Sequence, residues 1–342
     1  MDPVTQGVLG AAVTQAVMTE RVGRKAWLYG ALGGMAADLD VLIRSADDPL
    51  VAITFHRHFT HSLAFIPVGG LLVALPFALP ILKKEPARAR AIALATTIGY
   101  ATHALLDAFT SYGTLLWWPL SRARVAWNVI GIVDLTYTVP LAVAVVWAAW
   151  RISARPARWG LVVSSLYMAL CGLQRGRALD AQERLAKARG HAPTRAQVFP
   201  TVTNNVTWRS IYEADGALHV DKLRVPYFRG PLVVEGGAVP VMTVDELPAA
   251  VRADPKAMHA WEVFAWFSLG WLGQVPGDPW AVGDARYAIT PNATEPLWGL
   301  RYEARGDAIA YTQFSSRARL SQDVSLGLVW RLLFTDEGAR PL

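Results

Sequence analysis

The chain has 342 residues, 53% apolar and 18% charged with a positive mean hydropathy, against about 25% charged in soluble globular proteins, so part of it is expected in lipid. The basic excess is uneven: residues 1–190 hold 19 Lys and Arg against 11 Asp and Glu, and residues 191–342 hold 14 against 16. The positive charges stand at the ends of apolar runs, a membrane-orientation pattern rather than a nucleic-acid face, and the single cysteine, Cys171, excludes a disulfide framework or a Cys-based zinc finger.

Residues 1–6 lack the positive region of a cleavable signal peptide, so membrane segments are expected to stay in the mature protein. Residues 5–19 and 26–43 read as helices rich in Gly and Ala, which allow close packing in a bundle. Residues 62–82 are 21 residues without a charge, long enough at about 1.5 Å per residue to cross roughly 30 Å of hydrocarbon. Pro67, Pro76 and Pro80 are tolerable there if neighbouring helices satisfy the freed carbonyls. Residues 91–106 and 159–174 are uncharged runs of 16 that need polar flanks to complete a crossing, and residues 129–150 carry one charge, Asp134. Residues 176–190 read as an amphipathic connector helix with Leu179 and Leu185 as its apolar points.

Beyond it the pattern changes. Residues 197–234 and 286–335 hold short alternating stretches, such as 218–225 and 297–302, punctuated by Gly, Pro and Asp as strands are. Residues 244–252 and 255–270 read as helices between them, and the tryptophans from Trp261 to Trp271 suit a core or an interfacial belt. The expected fold is a polytopic α-helical membrane bundle of four to six membrane helices over residues 1–175, followed by an extramembrane α+β domain over residues 191–342.

Orientation follows from the basic clusters. Arg21, Arg24 and Lys25, then Lys83, Lys84, Arg88 and Arg90, then Arg151, Arg155 and Arg158 lie between alternate pairs of helices, and such turns face the cytoplasm. With six crossings, the C-terminal domain emerges on the periplasmic side. The opposite helix ends carry nearly all the unusual polar residues of this half on one rim.

His103 and Asp107, at i and i+4, project from one helical face and offer N and O donors suited to Zn or Mn. In 56–62, His-Arg-His-Phe-Thr-His-Ser, His61 is expected as a direct ligand and His56 as a second ligand or proton-transfer group. Arg57 suits an anionic substrate through its planar fork, or lipid headgroups, and His58 a surface position. Asp38 and Asp40 point about 200° apart on a continued helix, so both approach one ion only if the helix ends there; otherwise one is a ligand and the other accepts from a histidine N–H. Asp134 is expected to orient Arg57 or a metal-bound water, or to pair with Arg122 or Arg124. Gln6, Thr60, Ser62, Ser111 and Tyr112 are further polar side chains that could support the ligands.

The runs Met-Asp-Pro-Val-Thr-Gln at 1–6, Gly-Gly-Met-Ala-Ala-Asp-Leu-Asp at 33–40, the 56–62 stretch, Gly-Tyr-Ala-Thr-His-Ala-Leu-Leu-Asp at 99–107 and Thr-Ser-Tyr-Gly at 110–113 resemble the YdjM-type inner-membrane metal-dependent hydrolases of bacteria, over roughly residues 1–150. The helical core also looks distantly similar to zinc-dependent phospholipase C and P1-type nucleases. That resemblance implies one zinc held by Asp38 or Asp40, His61, His103 and Asp107. Gln6 stands where many relatives have His, Ala37 stands where Pro is common, and the later His and Glu ligands of the three-zinc enzymes have no counterpart, so a mononuclear or incomplete site is expected.

The reading is a membrane-bound hydrolase of phosphoester or other ester bonds in a lipid or lipid-linked envelope substrate. It would use a divalent metal, zinc first, with His56 moving a proton and Arg57 holding the anion. The partners expected are the bilayer of the bacterial inner membrane and no nucleic acid. The competing readings are a structural metal clip with a periplasmic partner-binding domain, and an ion or proton carrier using Asp134 and the rim acids.

Overall fold

Asp2 opens the first helix: its carboxylate accepts the Thr5 N–H at 3.0 Å, and Pro3 supplies a preset φ, giving α1 (Pro3–Val22). A 3-10 turn, Gly23–Lys25, leads into α2 (Ala26–Ala36). The stretch read as a helix over 26–43 tightens after Ala36 into a second 3-10 turn, Ala37–Leu42. There follow α3 (Leu50–Phe55), 3-10 turns at Phe59–His61 and Leu63–Phe65, α4 (Ile66–Ala78), α5 (Pro86–Ala108), α6 (Leu135–Arg151) and α7 (Ala154–Ala188). The computed structural model describes residues 1–306, 308–316 and 326–342. Two compact units emerge, Met1–Arg44 with Phe55–Gly172, and Ser45–Thr54 with Leu173–Leu342.

In the first unit glycines let α1, α2 and α5 approach to backbone contact. A Cβ on Gly10 or on Gly99 would lie 2.3 Å from the Gly30 carbonyl oxygen, and one on Gly33 would lie 2.2 Å from that of Thr96. This is the small-residue packing of membrane bundles. Leu63–Ile81, 19 residues counting the 3-10 turns flanking α4, is long and apolar enough to cross a membrane; α6 is apolar but has only 17 residues. Among the described residues one helical stretch therefore meets the length and hydropathy of a crossing, where four to six were expected. The reason is that α1 and α5 dilute their apolar residues with buried Thr, Gln, His and Asp, while α2 has 11 residues. Large apolar side chains are exposed along α4 (Leu71, Leu72, Leu75), α6 (Val139, Val143, Trp147) and α7 (Trp159, Val163, Leu166).

In the second unit the strands are β1 (Arg195–Pro200), β2 (Thr207–Ala214), β3 (Ala217–Arg224) and β4 (Leu232–Pro240), then, after α8 (Ala249–Ala253) and α9 (Pro255–Phe267), β5 (Leu272–Val275), β6 (Asp278–Asp284), β7 (Trp298–Arg305) and β8 (Ala308–Ser315). The chain closes with α10 (Leu326–Phe334) and β9 (Arg340–Pro341). Two antiparallel sheets result, β1-β2-β3-β4-β9 and β5-β6-β7-β8. The predicted strand stretches 218–225 and 297–302 are β3 and β7, while residues 317–325 of the stretch 286–335 lie outside the described residues. The separate connector expected at 176–190 is the C-terminal half of α7. Its Ala178, Ala181 and Leu185 pack with Val198, Trp208 and Leu223, and the Gln182 amide donates to the Gln197 and Ile211 carbonyls. Trp261 and Trp271 are buried in the interior of this unit.

Candidate metal centre

Three features bring the rim residues together. The end of α2 at Ala36 lets the following 3-10 turn carry Asp38 and Asp40. The close approach of α2 to α5 brings the Gly34 carbonyl within 2.5 Å of His103 Nδ1. The Tyr100 hydroxyl on α5 donates to the Thr60 carbonyl at 2.7 Å, holding the turn that carries His61.

A carbonyl oxygen only accepts, so His103 Nδ1 carries the proton and Nε2 presents a lone pair. His61 Nδ1 lies 3.1 Å from Asp40 Oδ2 and 3.0 Å from Thr60 Oγ1. The Thr60 hydroxyl itself donates to Asp40 Oδ2, leaving its oxygen as a second acceptor for that N–H. His61 Nε2 is thereby also turned inward, toward His103. The two Nε2 atoms face each other at 2.9 Å, a separation that calls for a proton or a metal cation between them.

Two carboxylate oxygens complete the group. Asp38 Oδ1 is 3.5 Å from His61 Nε2 and 3.4 Å from His103 Nε2; Asp107 Oδ2 is 3.3 Å and 3.6 Å from the same atoms. Zinc bonds of 2.0–2.1 Å in a tetrahedron place neighbouring donors about 3.3 Å apart, so these separations fit an ion of that size. Asp107 Oδ2 is buried, with the Arg57 guanidinium 3.0 Å away. Burial opposes charge on His61, yet Asp107, Asp38 and Asp40 outweigh it and hold the imidazole pKa up to about 10, so a proton on Nε2 or a metal ion can each supply the cation between the two rings. The group is built to keep a positive charge at its centre. His61, His103 and Asp107 are fully buried, whereas Asp38 is 15% exposed and forms the side open to solvent.

Asp40 faces the other way. Its Oδ1 lies 2.8 Å from His56 Nδ1, and its Oδ2 accepts the Arg57 N–H and the Thr60 hydroxyl. Arg57 takes a left-handed φ of 60°, a strained choice for a side-chain-bearing residue that turns its N–H onto Asp40. His56 is partly exposed and sets its ring edge-on to Tyr112 at 5.3 Å; Asp38, Asp40 and His56 form a second group of neighbouring donors.

Arg57, expected at the substrate, is buried with Nε 3.0 Å from Asp107 Oδ2, Nη1 donating to Thr110, and its guanidinium 4.7 Å from the Tyr112 ring centre. The Gln6 amide donates to Asp107 Oδ1 at 2.8 Å, and the Met1 amino group, which sequence reading missed, touches the same oxygen. Ser62 caps the turn at Leu63–Phe65, and Ser111 is buried just after α5. His58 is not a free surface residue: it is half-buried against Phe55, Phe59 and Trp118. Asp134 is not paired with Arg122 or Arg124; it caps α6 through the Tyr137 N–H and accepts the Tyr167 hydroxyl at 2.9 Å. The Gly34 carbonyl was also missed, and its one signal in the sequence is the Gly33-Gly34 pair that permits the close approach.

The sequence model described as YdjM inner membrane protein matches residues 1–178, and every residue of the cluster lies within that span. The chain belongs to the YdjM inner membrane protein family. No curated protein and no solved structure matches it. In this YdjM family member, the four-donor group of Asp38, His61, His103 and Asp107 could hold a metal ion.

Proposed function

We propose that the chain is a membrane-bound metal-dependent hydrolase of phosphoester or other ester bonds in a lipid or envelope-linked substrate. The observation that carries the reading is the facing pair of Nε2 atoms, closed by Asp38 and Asp107 oxygens at 3.3–3.6 Å from them. Nitrogen and carboxylate donors without thiolate suit zinc. A bound divalent ion supplies Lewis acidity and makes a water molecule acidic enough to attack an ester at neutral pH.

The protein's own groups divide the remaining work. Asp40 holds His56 by Nδ1, which leaves His56 Nε2 to take a proton from the attacking water and return it to the leaving oxygen. The partial exposure of Asp38 and His56 is the route by which substrate and water approach. Arg57 acts through Asp107, balancing its charge and fixing its rotamer.

The exposed apolar flanks of α4, α6 and α7 support a lipid-embedded first unit. Taken with the basic turns after α1, α4 and α6, they favour six helical passages, with short members completed by 3-10 turns and polar flanks, and the cluster at the periplasmic rim. The C-terminal domain would then be periplasmic.

A structural clip is the second reading, favoured by one observation: four protein donors whose atoms all lie within 4.8 Å of one another match the ligand count of a closed structural site. Protein purified in detergent should contain about one ion per chain, and His103→Ala should lose it. Wild-type protein should cleave a phosphodiester reporter or a lipid extract in a chelator-sensitive way. A bound ion with no turnover across a broad ester panel would leave the clip, and proton-coupled flux in proteoliposomes without hydrolysis would favour a carrier.

A further inference from the structure

The first unit contains an apolar groove of about 520 Å³ between α1, α2 and α6, within the roughly 300–1,000 Å³ of small-molecule sites. Val4 and Ala11 on α1, Trp27 and Met35 on α2, and Ala142 and Ala149 on α6 mark its ends. Small residues widen it: Gly7 and Ala31 are among its lining residues, and Gly7 is pressed so closely that a Cβ there would lie 3.0 Å from the Met35 side chain. Along α2 it extends about 12 Å, and along α6 about 10 Å, which makes it a slot for one extended chain.

The occupant is argued from composition and position. The lining offers no charged side chain and no side-chain amide or hydroxyl, and it belongs to a family of inner membrane proteins, so its ligand is hydrocarbon. One end adjoins the candidate metal centre along both helices: Met35 precedes Asp38 by three residues, and Gly7 follows Gln6, whose amide holds Asp107. An ester whose tail fills the slot would bring its polar head to the level of Asp38 and His56. We infer that the groove between α1, α2 and α6 binds the acyl chain of the lipid ester on which the metal centre acts. This rests on the hydrolase reading above and narrows it to acyl lipids.

The test is filling the slot with Ala142→Trp, and independently with Ala31→Leu. Full-length protein is reconstituted in vesicles containing a phospholipid with a diazirine in its acyl chain, then irradiated and mapped by mass spectrometry. Metal content reports folding. Labelling of α1, α2 and α6 in the wild type, reduced in a variant that keeps its metal, supports the inference. So does a loss of about tenfold or more in kcat/KM for a long-chain lipid, the worth of roughly two unburied methylenes, with a short-chain phosphodiester cleaved as before. Labelling confined to the outer faces of α4 and α7, or long-chain and short-chain turnover altered alike in metal-replete variants, would overturn it. If the metal-loaded wild type cleaves nothing, the hydrolase reading fails and the substrate role falls with it, whereas labelling that tracks the two variants still establishes acyl binding in the slot.

Discussion

Asp40 shows how one side chain can fix a site without pointing into it. Its two oxygens receive His56 Nδ1, the Arg57 N–H, the Thr60 hydroxyl and His61 Nδ1, all donors. Asp40→Asn would set an amide N–H against one of these donors and loosen the tautomer and angle of His61. Losing such a supporting contact typically weakens metal binding 10–100-fold, and that is the expected outcome of titration against a chromophoric chelator. Unchanged affinity would mean that Asp40 does not orient the ligand. The His-x-x-x-Asp spacing on α5 announced His103 and Asp107, because i and i+4 share a helical face. The choice between Asp38 and Asp40 was not legible, since it depends on a 3-10 turn replacing the last helical turn. The partner of Arg57 was not legible for a similar reason: its left-handed backbone aims it at Asp107, a residue 50 positions away in the chain.

At the scale of elements, the centre depends on how closely α2 and α5 pack. Gly99 is the sharpest control point: a Cβ there would stand 2.3 Å from the Gly30 carbonyl oxygen and 2.8 Å from Gly30 Cα. Neither backbone atom can rotate away. Gly99→Ala must therefore push the helices apart, lengthening the bond from His103 Nδ1 to the Gly34 carbonyl. Overpacking of this kind costs about 1–3 kcal/mol. The expected result is a lower unfolding temperature in detergent together with weaker metal retention; a stable variant with intact metal content would show that the site tolerates wider spacing. The sequence displayed the Gly and Ala richness of α1 and α2. It did not display which glycine meets which carbonyl, because that register follows from the crossing of two surfaces.

For the whole molecule, sidedness can be tested directly. The native thiol, Cys171, is buried, and with Cys171→Ser the chain becomes a background for single cysteines. Ala123→Cys, on the segment between α5 and α6, should react with a membrane-impermeant maleimide added to the periplasmic face. Lys84→Cys, in the basic turn before α5, should react only after permeabilisation; both residues are exposed. Labelling of both from one side, or in reverse, would sink the proposed topology. The division into units was only partly readable. The change from apolar runs to strand patterns near residue 190 is visible in composition, but α7 continues without a break to Ala188, and the segment Ser45–Thr54 clusters with the C-terminal unit, where Asp48 accepts the Tyr311 hydroxyl. A contact across 263 positions leaves no local trace.

What the sequence alone determined is whatever depends on local spacing and solvent preference: the apolar stretch at 62–82, the basic turns, the strand-bearing C-terminal half, and the kinds of donor at 38, 40, 61, 103 and 107. Tertiary structure decided direction. Imidazole tautomers, the partner of each carboxylate oxygen and the inward turn of both Nε2 atoms are set by hydrogen bonds between remote segments, from Gly34 to His103 and from Asp40 to His61. Side-chain angles answer to neighbours in space, and those neighbours exist only once the helices have packed.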